Sequence, residues 1–112
     1  MQDKLIILWT SDNVITAENM VLMYALNGKM RHWWTDIKLI IWGGSSALVR
    51  DNEKIQVMLE KLLEVGVEVE ACKACADNIG STEILEKLGI KVRYMGEPLT
   101  EYLKLDYKMI TI

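Results

Sequence analysis

Apolar residues run without a break from Leu5 to Trp9, and the segment Asp36 to Trp42 repeats the pattern. Continuous runs of this kind, rich in β-branched residues, predict strands buried on both faces, here over Lys4–Thr10 and Asp36–Trp42. A third segment, Val67 to Ala71, sets Val67, Val69 and Ala71 against Glu68 and Glu70. That alternation predicts a strand with one face more exposed, near an edge or an interface. Ile90–Tyr94 and Tyr107–Ile112 supply a fourth and a fifth strand.

Helical patterns fill the intervals. Ser11-Asp12-Asn13 is turn chemistry, Thr16 is placed to cap a helix to about Leu26, and Gly28 to end it. That helix is apolar nearly all round, from Met20 to Leu26, and needs cover on more than one side, from the sheet and from another subunit. Over Asp51–Val65, the residues Ile55, Met58, Leu59, Leu62 and Leu63 follow the i, i+3, i+4, i+7, i+8 rule, and Gly66 stops the helix. Ser81 caps a short helix to Leu88, ended by Gly89. Pro98 suits the first turn of a helix to about Leu105.

Strands alternating with helices predict a single three-layer α/β/α domain over residues 1–112. Its five-stranded sheet is mostly parallel, with helices on both faces. Reacting groups in such folds collect at the carboxyl ends of the strands. Those ends are Thr10–Asn13, Gly43–Ser46, Cys72–Asp77 and Met95–Glu97.

Composition narrows the classes. The 112 residues are 51% apolar, enough for a core without staples, and carry a net charge of −3, which argues against nucleic acid as the main partner. Two cysteines are too few for a disulfide framework. The start, Met1-Gln2-Asp3-Lys4, has no signal-peptide character, and no apolar run approaches the roughly 20 residues of a membrane span. The expectation is a cytoplasmic protein with reduced thiols and no membrane partner.

Both cysteines lie in Cys72-Lys73-Ala74-Cys75, straight after the third strand. Zinc in a structural site takes four N or S ligands, usually as two such pairs. This chain has one pair and one histidine, His32, expected at the opposite edge of the sheet, so no metal is expected. A thioredoxin-like dithiol would set a proline before a strand facing the cysteines, whereas Pro98, the single proline, opens a helix. A dithiol switch on another fold stays open, since residues three apart on a helical turn lie within disulfide reach after adjustment. So does a single reactive thiol at Cys72, where unpaired backbone N–H groups and Lys73 favour the thiolate while Glu70 and Asp77 oppose it. Burial as two small hydrophobes is the plain structural alternative, stronger for Cys75 than for Cys72.

The chain resembles the DsrE/DsrF-like family of small α/β proteins, several of which act in sulfur relay. The resemblance rests on "LIILWTSDNVITAENMVLMYALNG", "IKLIIWGGSSALV", "LLEVGVEVEACKACADNIG" and the ending "LEKLGIKVRYMGEPLTEYLKLDYKMITI". It covers nearly the whole chain. Its most telling piece is Gly66-Val67 leading through a strand into Ala71-Cys72. The resemblance implies a persulfide carried on Cys72, no cofactor, and a homo-oligomer, trimer or hexamer. It also implies donor and acceptor proteins for the sulfur, and a cysteine strand beside the second strand with the C-terminal strand toward the other edge. Only Cys72 matches the family's persulfide cysteine, and no role transfers to Cys75; on the residues themselves, Asn13, Gly43, Gly44 and Ser45 would line the approach, and Cys75 would release the sulfur by forming a disulfide with Cys72.

Other residues carry less. Trp9 and Trp42 end adjacent strands and either wall the cleft or cap the core. Trp33 and Trp34, beside Arg31 and His32, read as an oligomer interface. Ser45-Ser46 follows two glycines, yet the lysine-bearing phosphate-loop pattern is absent. Two functions remain: a sulfurtransferase-like carrier working through Cys72, or a non-catalytic oligomeric module that binds a small ligand or a protein in the same cleft.

Overall fold

In the computed structural model, which describes residues 3–112, five strands form one sheet: β1 Lys4–Trp9, β2 Asp36–Ile41, β3 Glu68–Cys72, β4 Lys91–Arg93 and β5 Lys108–Thr111. Met1 and Gln2, the start of the segment read above as lacking a leader, lie outside the described residues. The strand order is β4-β3-β2-β1-β5 and each neighbouring pair is parallel.

Six helices connect the strands. The first, α1, spans residues 14–30: a turn at Val14–Thr16, a π-helical stretch at Ala17–Val21, and the α-helix Leu22–Met30. The others are α2 Gly44–Asp51, α3 Glu53–Glu64, α4 Lys73–Ile79, α5 Thr82–Lys87 and α6 Gly96–Lys104.

The three layers are unequal, and connectivity explains why. Crossovers between parallel strands are right-handed. The steps β1→β2→β3→β4 all move the same way across the sheet, so α1 to α5 all fall on one face. The step β4→β5 runs back across the whole sheet, and the same handedness puts α6 alone on the other face. The first face holds the main core: Leu5, Ile7, Trp9, Ile37, Leu39 and Ile41 pack under Val21, Leu22, Val49, Ile55, Leu59, Leu62 and Leu85. The second face carries a smaller cluster of Ile6, Ile40, Cys72 and Met95, against which Leu8, Trp42, Cys75, Tyr102, Tyr107 and Met109 pack. No residue of α6 is fully buried.

Local chemistry departs from the sequence expectation in places. Asn13, not Thr16, caps α1: its side chain accepts the Thr16 N–H at 2.9 Å. Gly28 lies inside the helix rather than ending it, because a Cβ there would stand 2.9 Å from Ile37 Cδ1. Its missing side chain lets α1 settle on β2. The Gly43–Ser46 segment does not stay a loop but starts α2, and the expected helix over Asp51–Val65 begins at Glu53, capped by the Asn52 side chain on the Ile55 N–H at 3.0 Å. The cysteine loop is likewise mostly helix, α4. Ser81 precedes α5 without a side-chain cap; its hydroxyl is buried and donates to the Ser46 carbonyl at 2.9 Å.

Candidate functional site

The reversal in connectivity marks a candidate site. The loop after β3 turns to α4 on the first face, while the loop after β4 turns to α6 on the second. The carboxyl ends of β3 and β4 therefore flank a crevice of the kind in which open α/β sheets bind ligands. Cys72 is the last residue of β3, and its register partner is Arg93, the last residue of β4. Register partners on parallel strands point to the same side, so thiol and guanidinium share the second face.

Cys72 and Cys75 are both free thiols. Cys72 occupies the N-cap position of α4 and is 5% exposed, seated with Ile6, Ile40 and Met95. Cys75, one helical turn on, packs against the same cluster but is half-buried, the more accessible of the two. The Gly43 backbone N–H donates to the Cys75 sulfur at 3.1 Å. Gly43 reaches that position with φ +72 and ψ −134, a conformation open to glycine.

The remaining cleft residues take distinct places. At Gly44 a Cβ would stand 2.9 Å from the Thr10 carbonyl oxygen and 3.2 Å from Asp12 Cβ, so the glycine lets α2 close on the first loop. Ser45 is fully buried: its hydroxyl donates to the Trp9 carbonyl at 2.6 Å and accepts the Trp42 N–H at 3.1 Å. It ties β1 to β2 and faces no open space. Asn13 is exposed and spends its side-chain oxygen on the α1 cap. Lys73 pairs with Asp77 at 3.0 Å, which holds the ammonium above its ordinary pKa. The Thr82 hydroxyl and Lys73 together hold the Asp77 carboxyl below its own. Lys73 is thus committed beside the thiols rather than to them.

A charged network on the same face has no counterpart in the sequence reading. Glu70, expected on an exposed face, is buried; its carboxylate accepts from Lys38 and from Arg93 Nε. Lys38 Nζ also donates to the Tyr102 hydroxyl at 2.7 Å and lies 5.0 Å from that ring's centre, and Arg93 Nη2 donates to the same hydroxyl at 3.2 Å. Glu68 approaches Lys38 at 3.3 Å and Lys4 at 3.8 Å. Burial opposes the charge on Glu70, but the bonds from Arg93 and Lys38 outweigh it and hold the carboxyl below its ordinary pKa. Burial likewise opposes the charge on Lys38, and Glu70 and Tyr102 reverse it, raising the ammonium above the ordinary lysine value. One sequence signal marks this network: Lys38 and Glu70 interrupt adjacent apolar strands on the same face, Glu70 lying two residues beyond Glu68, the register partner of Lys38. Tyr102 and Arg93 carried no such signal.

Among the described residues no group of three or more His, Cys, Asp or Glu side chains is placed to hold a metal. His32 follows α1, at the edge of the sheet away from Cys72, with φ +59. Trp9 is fully buried in the core, while Trp42 packs on the cysteine cluster. Trp33 is 53% exposed, and Trp34 is partly buried with its indole N–H on the Tyr24 hydroxyl at 3.1 Å. No described helix is long and apolar enough to cross a membrane.

No protein-family model and no curated protein matches the chain. Solved structures do. The chain is 50% identical to a conserved protein of unknown function, BT1422, from Bacteroides thetaiotaomicron, over 98% of this chain and 95% of that one, with a TM-score of 0.96. It is 23% identical to the ychN protein from E. coli over the whole of both chains, with a TM-score of 0.75, a likeness of fold. The single α/β domain, with a five-stranded parallel sheet and six helices, matches a YchN/DsrE-like fold. The chain therefore belongs to the same family as the Bacteroides thetaiotaomicron protein, on a YchN/DsrE-like fold.

Proposed function

We propose that the protein handles sulfane sulfur, carrying it as a persulfide on Cys72 with Cys75 as the second thiol. The observation that carries this reading is the placement of both free thiols in one cluster at the mouth of the β3–β4 crevice, with the Gly43 N–H on the Cys75 sulfur. The resemblance to sulfur-relay proteins at Cys72 supports it. In loading, the Cys72 thiolate attacks the outer sulfur of a donor persulfide. A new S–S bond forms on Cys72, the donor's S–S bond breaks, and the donor leaves as a thiolate. In release, an acceptor thiolate takes the outer sulfur by the same exchange. Alternatively, the Cys75 thiolate attacks Cys72 Sγ, forming the Cys72–Cys75 disulfide and expelling hydrosulfide. Two thiols are then oxidised as the sulfane sulfur is reduced. The Gly43 N–H holds the Cys75 sulfur in place one helical turn from Cys72, which suits Cys75 to this second role.

The working form is a homo-oligomer, trimer or hexamer, located in the cytoplasm, with protein donors and acceptors. Exposed Met20, Met23, Met30 and Trp33 on and just after α1 give such an assembly an apolar contact surface.

A dithiol switch is the second reading, favoured by the packing of both sulfurs against one cluster. Intact mass spectrometry after exposure to a persulfide donor separates the two for wild type, Cys72→Ser and Cys75→Ser. A gain of whole sulfur atoms, abolished by Cys72→Ser and retained by Cys75→Ser, supports the carrier. Loss of two hydrogens that needs both cysteines supports the switch. A wild-type mass unchanged by the donor sinks both and leaves a non-catalytic binding module.

A further inference from the structure

Resting on the sulfur-handling reading, we infer that Arg93 and Lys91 form a seat for the anionic group of a small-molecule donor, so that besides protein donors the protein draws sulfur from carboxylate-bearing low-molecular-weight persulfides. Four observations converge. A cavity of about 390 Å³ opens on the second face of the sheet, lined by Lys38, Glu68, Glu70, Lys91 and Arg93 among others. The cavity lies beside α6, which reaches Arg93 through Tyr102 but leaves Glu68 and Lys91 on that face uncovered. Arg93, at its upper end, is the register partner of Cys72, and the crevice between the two strand ends is the connectivity switch of the sheet.

The fourth observation is where unspent donors remain. Lys38 is committed to Glu70, Glu68 and Tyr102. Arg93 uses Nε on Glu70 and one Nη2 hydrogen on Tyr102, and a guanidinium has five N–H bonds, so three remain. Lys91 is exposed, and its ammonium has no partner among the described residues. Lys91 and Arg93 sit two residues apart on the edge strand, on one face, roughly 7 Å along it. Both carboxylates of the cavity already face Lys38, Arg93 or Lys4, so the free capacity is for an anion.

A donor of cysteine size fits this layout. Its carboxylate rests on Arg93 and Lys91, and its sulfur end points toward the row of Cys72. Loading is then the exchange given above: Cys72 Sγ bonds the outer sulfur and the free amino-acid thiolate departs.

Cysteine persulfide and cysteamine persulfide differ only in the carboxylate, so their loading rates on Cys72, followed by intact mass, test the seat. Wild type is expected to load about fivefold faster from cysteine persulfide, the size of one charge-assisted contact at a partly exposed guanidinium. Lys91→Gln, a surface change that removes no existing bond, should bring the ratio of the two rates toward one. Equal rates in wild type, or a preference that survives both Lys91→Gln and Arg93→Gln, overturn the inference. If neither donor loads wild type, the sulfur-handling reading fails. The seat is then judged alone by NMR titration with S-methylcysteine and 2-(methylthio)ethylamine. Amide shifts at Lys91–Arg93 with the first only uphold an anion seat, and identical shifts with both refute it.

Discussion

Gly43 at the end of β2 gives its backbone N–H to the sulfur of Cys75 in α4, 32 positions later, at 3.1 Å. The contact joins the second and third strand ends through a thiol rather than an oxygen. It holds only while Gly43 keeps φ +72. Gly43→Ala should therefore cost about 1–2 kcal/mol, the penalty for a side chain in that region. It should also change the rate at which Cys75 is alkylated. Thermal melts and iodoacetamide kinetics measure the two effects; an unaltered Cys75 rate in a folded variant would show that the N–H does not act on the sulfur.

The two thiols should differ in access. Cys75 is half-buried and Cys72 is 5% exposed, so iodoacetamide should label Cys75 first and Cys72 only through opening of its cover. Peptide mapping at short reaction times gives the order, and simultaneous labelling contradicts it.

Tyr102 is the polar tie between α6 and the sheet, accepting from Lys38 and Arg93. Tyr102→Phe strips both donors of that acceptor and should cost about 1–2 kcal/mol. It should also speed Cys72 labelling, because α6 covers the cluster that holds this thiol, while leaving Cys75 labelling near its wild-type rate. Equal slowing or no change at both thiols would remove α6 as the cover.

The Lys38–Glu70–Arg93 network should shape stability against pH. Glu70 has a lowered folded pKa, so its contribution is complete above the ordinary value of 4.5 and fades as pH falls through the lower folded value. Lys38 has a raised folded pKa, so its contribution is complete below 10.5 and fades as pH rises through the higher one. Glu70→Gln leaves two cations facing each other and should cost about 3–5 kcal/mol at neutral pH, with a flatter loss in acid. Urea titrations from pH 3 to pH 7 measure both, and parallel curves for wild type and variant exclude this role.

Ser45 and Ser46 are adjacent and both buried, yet they should respond oppositely. Ser45 bridges Trp9 and Trp42, so Ser45→Ala should cost about 1–3 kcal/mol. Among the described residues the Ser46 hydroxyl has no hydrogen-bond partner, so Ser46→Ala should be neutral or stabilising. Denaturant midpoints of the two variants give the comparison directly.

The sequence by itself determined the elements, since their signals are local. An unbroken apolar run, a 3.6-residue stripe and a glycine after it each act within a few residues, and all five strands, the long amphipathic helix and the position of Cys72 at a strand end follow from them. Even there, a nearer cap displaced Thr16, close packing on Ile37 kept Gly28 inside α1, and two short helices replaced loops. The tertiary structure decided what depends on distant partners. Glu70 can be buried only because Lys38, 32 positions before it, and Arg93, 23 after it, meet its charge. Five helices crowd one face because every early crossover steps the same way and the last one steps back. That reversal leaves one helix on the second face, with Glu68 and Lys91 uncovered beside it. It is why a thiol, a guanidinium and a charged cavity from three separate stretches of chain come together at one crevice.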